Sequence, residues 1–558
     1  MSGSRTAPAL RWAGPRAFLV ECADLPAVMA LHAHLRAHPF PGQREAVAAA
    51  ATVLVAFRTR DEALAAARTV TSIAPDAPDL AAARTVTVDV RYDGEDLDDV
   101  AAVAGMSVEA VIAAHSEAAW VGAFGGFAPG FTYCAADPAP FDVPRRASPR
   151  TAVPAGSVAV AGRFSAVYPR ASPGGWRLLG RTDAVLWDLG RPESALLRPG
   201  DRVRYRPVRE LATLTTTAPD PASAPASEGS PTPAATSPDP ASTPPEPAPT
   251  SADTPGLTVV AAGLQSLVQD LGRPGRGDLG VTASGAADRD AARQANRLVG
   301  NAPDEAVVEA LLGGLALTAR GTQVLALAGA DARARISGPA GSRPAPVRRP
   351  FAVLDGETLT LEEPEAGLRT YVGLRGGIEA PLVLGSRSTD VMSGLGPAPL
   401  ATGAGLPRRA DPGRALVGEA EAALRVTPRA GAVTVLRVLL GPREDWFDAA
   451  SLTRLTAQEW EVTSQADRIG VRLAAPAGGR TLARARDGEL ASEGVTAGAL
   501  QVPPSGEPVL FLADHPVTGG YPVIAVVVPE DLGAAAQLPP GARVRLVPVP
   551  PADPAQEA

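Results

Sequence analysis

The sequence predicts an α+β protein, mainly β, in which a small βαβαβ N-terminal unit is followed by β-barrels. Three observations predict this class. Glycine and proline number 56 and 57 of 558 residues, which favours frequent turns. Strand-like and helix-like patterns alternate over the first hundred residues, and short apolar runs between Gly/Pro turns follow Gly122. A Pro/Ala/Ser/Thr-rich stretch then divides the chain into two parts.

The first hundred residues carry the βαβαβ pattern. Asp24 is placed to cap a helix over 25–37, with Pro26 in its first turn. The predicted elements, in order, are strands at 17–22, 52–57 and 85–92, helices at 25–37 and 61–70, and two further helices at 96–104 and 108–119.

The C-terminal part continues the β-rich pattern around one evident helix. Residues 286–299 place Ala292, Ala295 and Leu298 on an apolar side, and Gly300 follows as a C-cap. A shorter helix is predicted at 446–455.

Five segments follow from these patterns. The stretch 217–255 has no apolar periodicity and many prolines, so it is predicted to be a disordered tether without chemistry of its own. The predicted segments are a small α/β subdomain at 1–95, a barrel at 96–216, the linker at 217–255, a C-terminal part with two β-rich subdomains at 256–550, and a tail at 551–558.

An internal repeat relates the two parts. Residues 200–208 match residues 541–549 at six of nine positions. A Gly-Gly-aromatic turn precedes each copy, at 174–176 and 519–521, and similar strand openings lie at 154–158 and 496–500. The common order of three matched elements indicates that both parts end in homologous β-barrels.

Composition excludes several classes of function. The net charge of -8 argues against nucleic-acid and anionic-membrane partners. All 52 Lys/Arg side chains are arginine, so the chain holds no Walker A lysine, no Schiff-base amine and no attachment point for biotin.

Two distant cysteines, Cys22 and Cys134, fit a reducing compartment. No signal peptide is recognised at the N-terminus and the apolar run 523–528 is short, so we expect a cytoplasmic protein.

Several motifs could carry chemistry, and each also has a structural interpretation. The turn at 125–131 offers Phe127, Pro129 and Phe131 as an apolar wall, or simply forms a packed turn. Arg145 and Arg150 lie between prolines, where arginine forks suit a carboxylate or phosphate, or belong to a solvated loop.

Acid and base candidates are spread along the chain, among them Asp514 and His515 ahead of the Gly519-Gly520 turn. Asp288 fits a helix cap better than a site residue, and His115 is as readily a structural histidine as a site residue. Asn296 lies within the helix over 286–299, where a polar side chain needs a partner, so it is either a structural hydrogen-bonding residue or a site residue. His34 and His38 have helical spacing but no acidic or cysteine partner nearby, so no metal site is predicted.

The motifs, taken in order, resemble one family. His115 is followed by Gly-Phe-Ala-Pro-Gly-Phe at 126–131, Val-Pro-Arg-Arg at 143–146, Pro-Gly-Gly-Trp at 173–176 and Pro-Gly-Asp at 199–201, as in the B subunit of bacterial ATP-dependent 5-oxoprolinase. Gln-Asp-Leu-Gly-Arg at 269–273, Gly-Ser-Arg-Ser-Thr at 385–389, Asp-Arg-Ile-Gly at 467–470 and Thr-Gly-Gly-Tyr-Pro at 518–522 resemble the C subunit of the same enzyme. These two proteins, also called allophanate hydrolase subunits 1 and 2, correspond to the carboxyltransferase domain of urea amidolyases. The resemblance implies cyclophilin-like barrels.

The sequence departs from this family pattern at three places. The residues after Gly394 lack the usual further glycines and Gly-Arg, His515 stands where other members carry arginine, and Cys134 follows Tyr133 where an aliphatic residue is common. These differences bear on the substrate rather than on the fold.

The resemblance implies a B/C component that cleaves 5-oxo-L-proline to L-glutamate with ATP hydrolysis, together with a LamB/YcsF-type A subunit. ATP with Mg would be shared with that partner, no biotin would be attached, and the small-molecule substrate would be a lactam or amide. Two alternatives stay open: a biotin-dependent carboxyltransferase acting on urea or a similar amide, and a regulatory binder of a histidine kinase. The implied catalytic residues are Asp288, Asp467, Glu493 and His115. The implied substrate-binding residues are Phe127, Pro129, Phe131, Arg145, Arg150, Trp176, Gln269, Arg273, Asn296, Ser386, Arg387, Arg468, Gln501 and Tyr521.

Overall fold

A computed structural model describes residues 9–75, 83–210, 254–409, 416–486, 488 and 490–550. The predicted linker, apart from residues 254 and 255, and the predicted tail lie outside the described residues. We refer to residues 9–210 as the N half and to residues 254–550 as the C half.

The N half begins with a four-stranded antiparallel sheet of order β1-β2-β4-β3, covered by two helices. Its elements are β1 (Ala9–Trp12), β2 (Ala17–Glu21), α1 (Leu25–Ala37), β3 (Gln43–Ala48), β4 (Thr52–Phe57) and α2 (Arg60–Val70). Asp24 caps α1 by accepting a hydrogen bond from the Ala27 N–H at 2.8 Å, as predicted.

The predicted βαβαβ unit differs from this sheet in its pairing. Strands β1 and β3 were not predicted, because β1 is short and the first half of β3 is polar. β3 and β4 form a hairpin, so β4 runs antiparallel to both of its neighbours. The third predicted strand belongs to the following barrel instead.

The first barrel is a seven-stranded sheet of order β12-β9-β10-β7-β6-β13-β5. An Arg91–Arg181 bridge joins its two edge strands just beyond β5 and at the end of β12. The remaining strands β8 and β11 pair with each other. The elements are β5 (Thr85–Val90), α3 (Leu97–Ala104), α4 (Val108–Glu117), β6 (Trp120–Gly125), β7 (Thr132–Ala135), β8 (Arg150–Val153), β9 (Ser157–Ala161), β10 (Phe164–Val167), β11 (Ser172–Gly174), β12 (Arg177–Arg181) and β13 (Arg202–Pro207).

The C half opens with a six-stranded sheet, β20-β19-β22-β17-β14-β24, and a five-stranded sheet, β15-β16-β23-β18-β21. Both sheets contribute to one apolar core, with Leu257 and Leu317 from the first and Leu325 and Val372 from the second. The elements are β14 (Gly256–Ala262), β15 (Gln265–Gln269), α5 (Arg289–Val299), β16 (Val307–Leu311), β17 (Leu315–Arg320), β18 (Gln323–Gly329), β19 (Ala334–Gly338), β20 (Gly341–Pro344), β21 (Pro350–Val353), β22 (Thr358–Leu361), β23 (Arg369–Leu374) and β24 (Gly405–Pro407).

Helix α5 begins at Arg289, later than the predicted start at residue 286. Ser284 and Gly285 have φ values of 51° and 90°, so the backbone before the helix is not helical. Asp288 caps the helix by accepting from the Ala291 N–H at 3.1 Å, and Gly300 ends it in the left-handed region, both as predicted.

The second barrel is closed, with strand order β25-β32-β29-β30-β27-β26-β33. Its short helix covers 449–457 rather than 446–455, because Asp448 provides the N-cap. The elements are β25 (Val433–Leu440), α6 (Ala449–Ala457), β26 (Glu459–Val462), β27 (Gly470–Ala474), β28 (Glu493–Gly494), β29 (Ala499–Gln501), β30 (Val509–Phe511), β31 (Thr518–Gly519), β32 (Val523–Val527), α7 (Leu532–Ala535) and β33 (Arg543–Pro548).

The two barrels share one topology, which confirms the predicted pair of barrels. The repeated segments form β13 and β33, and each pairs parallel with the first strand of its barrel and antiparallel with the strand after the helix. Trp120 is the first residue of β6 and Trp460 the second of β26. Each indole N–H donates to a helix carbonyl, that of His115 at 2.7 Å and that of Leu455 at 3.0 Å. Among the described helices, none is both long and apolar enough to cross a membrane.

Candidate active site at the junction of the two halves

The N and C halves pack directly against each other. The Ala50 N–H donates to the Ser492 carbonyl at 3.1 Å, and the Gly130 N–H donates to the Leu279 carbonyl at 3.1 Å. The Glu45 carboxylate accepts from the Gly277 N–H at 2.8 Å. These three hydrogen bonds fix one half relative to the other, so a site at the junction can contain residues from both halves.

Glycines let the two backbones approach closely at this junction. A Cβ on Gly125 would lie 2.1 Å from the Asp278 carbonyl oxygen, and one on Gly126 would lie 2.5 Å from Oγ1 of Thr518. A Cβ on Gly280 would lie 2.2 Å from the Ala128 carbonyl oxygen. The glycine-rich turn therefore serves contact between the halves, a role that only residues without a side chain can fill.

Behind that turn lies an aromatic wall within the first barrel. The ring of Phe131 lies 5.3 Å from Tyr168 and 5.5 Å from Trp176, and Tyr133 lies 5.4 Å from Trp176. Burial raises the pKa of Tyr133, whose hydroxyl also meets the side chains of Ser492 and Thr518 from the C half. Phe127, with φ of 62°, packs edge-on against Phe131. The wall thus ends at the junction.

Arg44, Arg289 and His515 come close together where the halves meet, and we call the place they share the cleft. Arg289, half-buried at the first position of α5, donates to the Ser284 carbonyl at 3.1 Å. Burial, together with the charge of Arg44 of β3, lowers the pKa of Arg289 to about 10, and the nearby Asp270 carboxylate opposes this shift. Within the described part of the chain, neither arginine has an ion pair with a carboxylate. Positive charge at a helix N-terminus is unfavourable, so this arrangement favours an anionic ligand.

His515 supplies a neutral base at the same place. Its Nδ1 lies 2.8 Å from the Pro516 carbonyl oxygen. A carbonyl only accepts, so Nδ1 carries the proton and Nε2 presents a lone pair. Burial lowers the pKa of His515, and the charge of Arg289 lowers it further. The cleft therefore combines two cations with an imidazole that is unprotonated at neutral pH.

A buried network of ion pairs lies next to the cleft residues. The Arg468 guanidinium binds both carboxylate oxygens of Asp514 at 2.9 Å and Glu309 at 2.5 Å. Ser284 donates from Oγ to Asp514 at 2.6 Å. Arg468 also donates to the Gly285 carbonyl at 2.6 Å, so it fixes Asp514, which precedes His515, and the backbone that leads into α5.

A second network holds the loop after β23 against the end of β15. Asp270 accepts from the hydroxyls of Ser386 at 2.6 Å and Ser388 at 2.5 Å, and from the Arg387 N–H at 2.6 Å. Gln269 donates to the Thr389 carbonyl at 2.8 Å, and Arg273 donates to the carbonyls of Val383 and Ser388. The motif residues Gln269, Arg273, Ser386 and Arg387 therefore converge around one loop.

The four predicted catalytic residues lie apart. Asp288 is buried, caps α5 and pairs with Arg425. Asp467 is exposed and accepts from two N–H groups in its own turn. Glu493 pairs with Arg443 within the C half, and Arg443 also pairs with Glu21 of the N half. His115 is buried in the first barrel, where its ring nitrogens contact Tyr92 and Ser165.

Other predicted site residues have partners close by. Arg150 binds Asp96, as does Arg146, and this fixes the proline-flanked loop to the start of α3. Arg145 is exposed near the hydroxyl of Tyr133. Asn296 donates to the Glu305 carbonyl at 2.8 Å.

The second Gly-Gly-aromatic turn is more open than the first. Gln501 donates to the Tyr521 carbonyl at 3.0 Å, and the Arg484 guanidinium lies 5.5 Å from the Tyr521 ring centre. Tyr521 is 46% exposed, whereas Trp176 is 5% exposed. The duplicated turns therefore differ in surroundings, although they occupy equivalent positions.

Arg44 and Arg289 were not among the predicted site residues. Arg44 lies near the start of β3 in the N half, and only the packing of the halves brings it to α5. Arg289 follows the predicted cap Asp288, so a charged residue there looks like ordinary helix surface. His515 is an acid/base candidate in the sequence and a departure from the family pattern, although it is not in the list of implied site residues.

Two family models match the chain. The model described as carboxyltransferase domain, subdomain C and D, matches residues 8–197, and the model described as carboxyltransferase domain, subdomain A and B, matches residues 279–548. The crystal structure of TTHA0988 superposes with a TM-score of 0.77 at 33% identity, covering 95% of this chain and 99% of that one.

Curated relatives match each half separately. The C subunit of 5-oxoprolinase from Escherichia coli (strain K12) is 36% identical over 302 residues, 52% of this chain and 90% of that protein. The B subunit of 5-oxoprolinase from Escherichia coli O157:H7 is 50% identical over 117 residues, 21% of this chain and about half (54%) of that protein. Urea amidolyase from Saccharomyces cerevisiae is 28% identical over 308 residues, 52% of this chain and 16% of that protein.

Fold and comparisons together define a carboxyltransferase-domain protein with both subdomain pairs in one chain. The chain belongs to the family of the 5-oxoprolinase B and C subunits, joined here in B-to-C order.

Proposed function

We propose that this chain is the B/C component of an ATP-dependent 5-oxoprolinase and that its active site is the junction cleft. The observation that carries the proposal is the pair Arg44 and Arg289, one from each half, which lie near each other without a carboxylate partner among the described residues. Such a pair suits an anionic substrate or a transferred phosphoryl group. 5-Oxo-L-proline carries a carboxylate, whereas urea is neutral.

The residues of the cleft suit opening of a lactam ring. A lactam amide is a poor electrophile, and phosphorylation of its oxygen by ATP activates the carbonyl carbon for addition of water. The C–N bond then breaks as the ring nitrogen takes a proton and leaves as the amine, and a second water hydrolyses the resulting acyl phosphate to glutamate and phosphate. Arg44 and Arg289 would bind the phosphoryl or carboxylate oxygens, and Nε2 of His515 would accept a proton from the attacking water. The chain holds no lysine, so ATP hydrolysis is expected to require the A subunit.

Carboxyl transfer to urea or a similar amide is the second candidate. The match to urea amidolyase favours it, and a carboxylated carrier would also present an anion to Arg289. The carrier would have to be a separate protein, because this chain has no lysine to attach biotin.

The test uses the purified chain with an A-type subunit, ATP and 5-oxo-L-proline, and measures glutamate and phosphate. We expect both products only when the chain is combined with the A-type subunit, and we expect Arg289→Gln to lower turnover by about tenfold or more. Arg297→Gln is the matched control, because Arg297 lies on the same helix and is paired with Glu421 on the surface. Urea-dependent consumption of a carboxylated carrier, without glutamate formation, would contradict the proposal in favour of carboxyl transfer.

A further inference from the structure

A loop of the C half reaches the N half beside the candidate cleft. In this loop, residues 390–396, the Met392 carbonyl accepts a hydrogen bond from the Arg170 guanidinium of the first barrel. A Cβ on Gly394 would lie 3.8 Å from Nη1 of Arg170, and a Cβ on Gly396 would lie 3.2 Å from Nη2 of Arg273. Two arginines, one from each half, therefore reach the same short stretch of backbone.

Three buried polar atoms around this loop have no hydrogen-bond partner among the described residues: Nε of Arg170, Nη1 of Arg273 and Oδ2 of Asp390. Arg273 is 2% exposed and Asp390 is 1% exposed. In the described part of the chain, none of the three residues has an ion pair within 4.0 Å. Buried polar atoms are nearly always paired in native proteins, so this concentration in one place points to a ligand.

The charged groups in this place lie near each other without forming ion pairs among Arg170, Arg273 and Asp390. Burial lowers the pKa of Arg170 and of Arg273, and the nearby Asp390 opposes that shift in both. Burial, with Asp514 nearby, raises the pKa of Asp390 to about 6. Asp270 and Asp514 also lie near Arg273, but Asp514 is bound by Arg468 and Asp270 accepts hydrogen bonds from Ser386 and Ser388. A ligand carboxylate would therefore meet arginine donors that these carboxylates leave open.

The three atoms also set a hydrogen-bonding pattern. The two arginine N–H groups donate, and the carboxylate oxygen of Asp390 accepts. A complementary ligand presents a carboxylate and an N–H close to it. We propose that Arg170, Arg273 and Asp390 form a binding pocket for a small 2-carboxy lactam, in which both arginines bind the carboxylate and Asp390 accepts the ring N–H. This inference rests on the proposed function: it assigns the substrate carboxylate to Arg170 and Arg273 and leaves the phosphoryl oxygens to Arg44 and Arg289.

The pocket adjoins the cleft through Asp514. Asp514 accepts from the Ser284 hydroxyl beside Arg289 and, at 3.2 Å, from the Val391 N–H in the loop. A small ligand held by the loop therefore lies next to the cleft residues.

The experiment removes one feature of the ligand and its partner at a time. The ligands are 5-oxo-L-proline, 2-pyrrolidinone, which lacks the carboxylate, and N-methyl-5-oxoproline, which lacks the N–H. The variants are Arg170→Gln, Arg273→Gln and Asp390→Asn, with Arg163→Gln, an exposed arginine of the same barrel, as the control. Calorimetry on the full chain gives dissociation constants, and turnover with the A subunit gives KM and kcat.

We expect Arg170→Gln and Arg273→Gln each to weaken 5-oxo-L-proline binding by about tenfold or more and to leave any 2-pyrrolidinone binding unchanged. We expect Asp390→Asn to reduce the preference for 5-oxo-L-proline over its N-methyl analogue. KM should rise more than kcat falls. The Arg163→Gln chain should behave as wild type.

Unchanged affinity in both arginine variants, or equal losses for all three ligands, would overturn the pocket. Arg170 is half-buried at the junction, so its variant tests the pocket even where Arg273→Gln fails to fold. If wild type makes no glutamate, the proposed function fails, and calorimetry still decides the pocket. Absence of 5-oxo-L-proline binding by the wild-type chain would then contradict it.

Discussion

At the scale of single residues, the cleft is defined by charges without partners rather than by a sequence motif. Motif residues such as Gln269, Ser386 and Arg468 could be singled out from the sequence, and they hold the backbone around the site. Arg44 and Arg289 could not, because their meaning depends on the packing of two halves that are far apart in the chain. Sequence patterns thus identify the residues that hold the backbone around the site more readily than the charged residues of the cleft itself.

The pKa of His515 tests the proximity of Arg289. Burial lowers this pKa, and the positive charge of Arg289 lowers it further. In Arg289→Gln that repulsion is absent, so the pKa of His515 should rise. NMR titration of the histidine ring protons measures this directly, with the His515 signal assigned by its loss in His515→Gln. A pKa that does not change, or that falls, would show that the two side chains are not electrostatically coupled.

The two aromatic turn residues should differ in stability. Trp176 is 5% exposed and packs against Phe131 and Tyr133, so Trp176→Ala should cost about 3–5 kcal/mol of unfolding free energy. Tyr521 is 46% exposed, so Tyr521→Ala should cost less than about 1 kcal/mol. Denaturant unfolding of both variants measures the difference. Equal losses would contradict the contrast between the two surroundings.

At the scale of elements, capped helices could be predicted well from the sequence and strand partners could not. Asp24 and Asp288 cap their helices as predicted, because capping is a local interaction. The strand over 85–90 was assigned to the first subdomain, yet it pairs with β13 in the barrel. Strand pairing depends on contacts distant in sequence, which a local pattern does not contain.

The glycine-rich turn gives a prediction at this scale. In Gly125→Ala, the new Cβ would lie 2.1 Å from a backbone oxygen of the other half, so the halves must separate locally. We expect a lower melting temperature and weaker association of separately expressed halves. Gly175→Ala is the control, because its Cβ would meet nothing closer than 3.9 Å. A Gly125→Ala chain as stable as the Gly175→Ala chain would contradict the close approach described here.

At the scale of the whole molecule, the junction joins two homologous barrels and their partner subdomains into one unit. The repeat in the sequence predicted the two barrels, because both copies keep their turn and strand motifs. It could not predict their packing, which is built from residues such as Glu45 and Gly277 that lie outside the repeat. The site is thus a property of the assembly of the two halves.

Glu45 makes that packing sensitive to pH. Burial raises the pKa of this half-buried carboxyl to about 7, from an ordinary value of 4.5. A raised pKa means that its contribution to stability is fully present below about pH 4.5 and is lost as pH rises through about 7. Glu45→Gln should therefore melt at a higher temperature than wild type at pH 8, with a smaller difference at pH 5.

The control for this comparison is Glu419→Gln, at an exposed position. Its melting temperature should follow that of wild type at both pH values. A wild-type chain that gains stability relative to Glu45→Gln between pH 5 and pH 8 would contradict the raised pKa of Glu45.

The most direct test of a shared active site uses the two halves as separate chains, residues 1–216 and 256–558, with the A subunit, ATP and 5-oxo-L-proline. Glutamate should form only when both halves are present. Arg44→Gln in one half and Arg289→Gln in the other should each lower that rate by about tenfold or more, because each removes one cation of the same cleft. Full activity from a single half with the A subunit would contradict a site built between them.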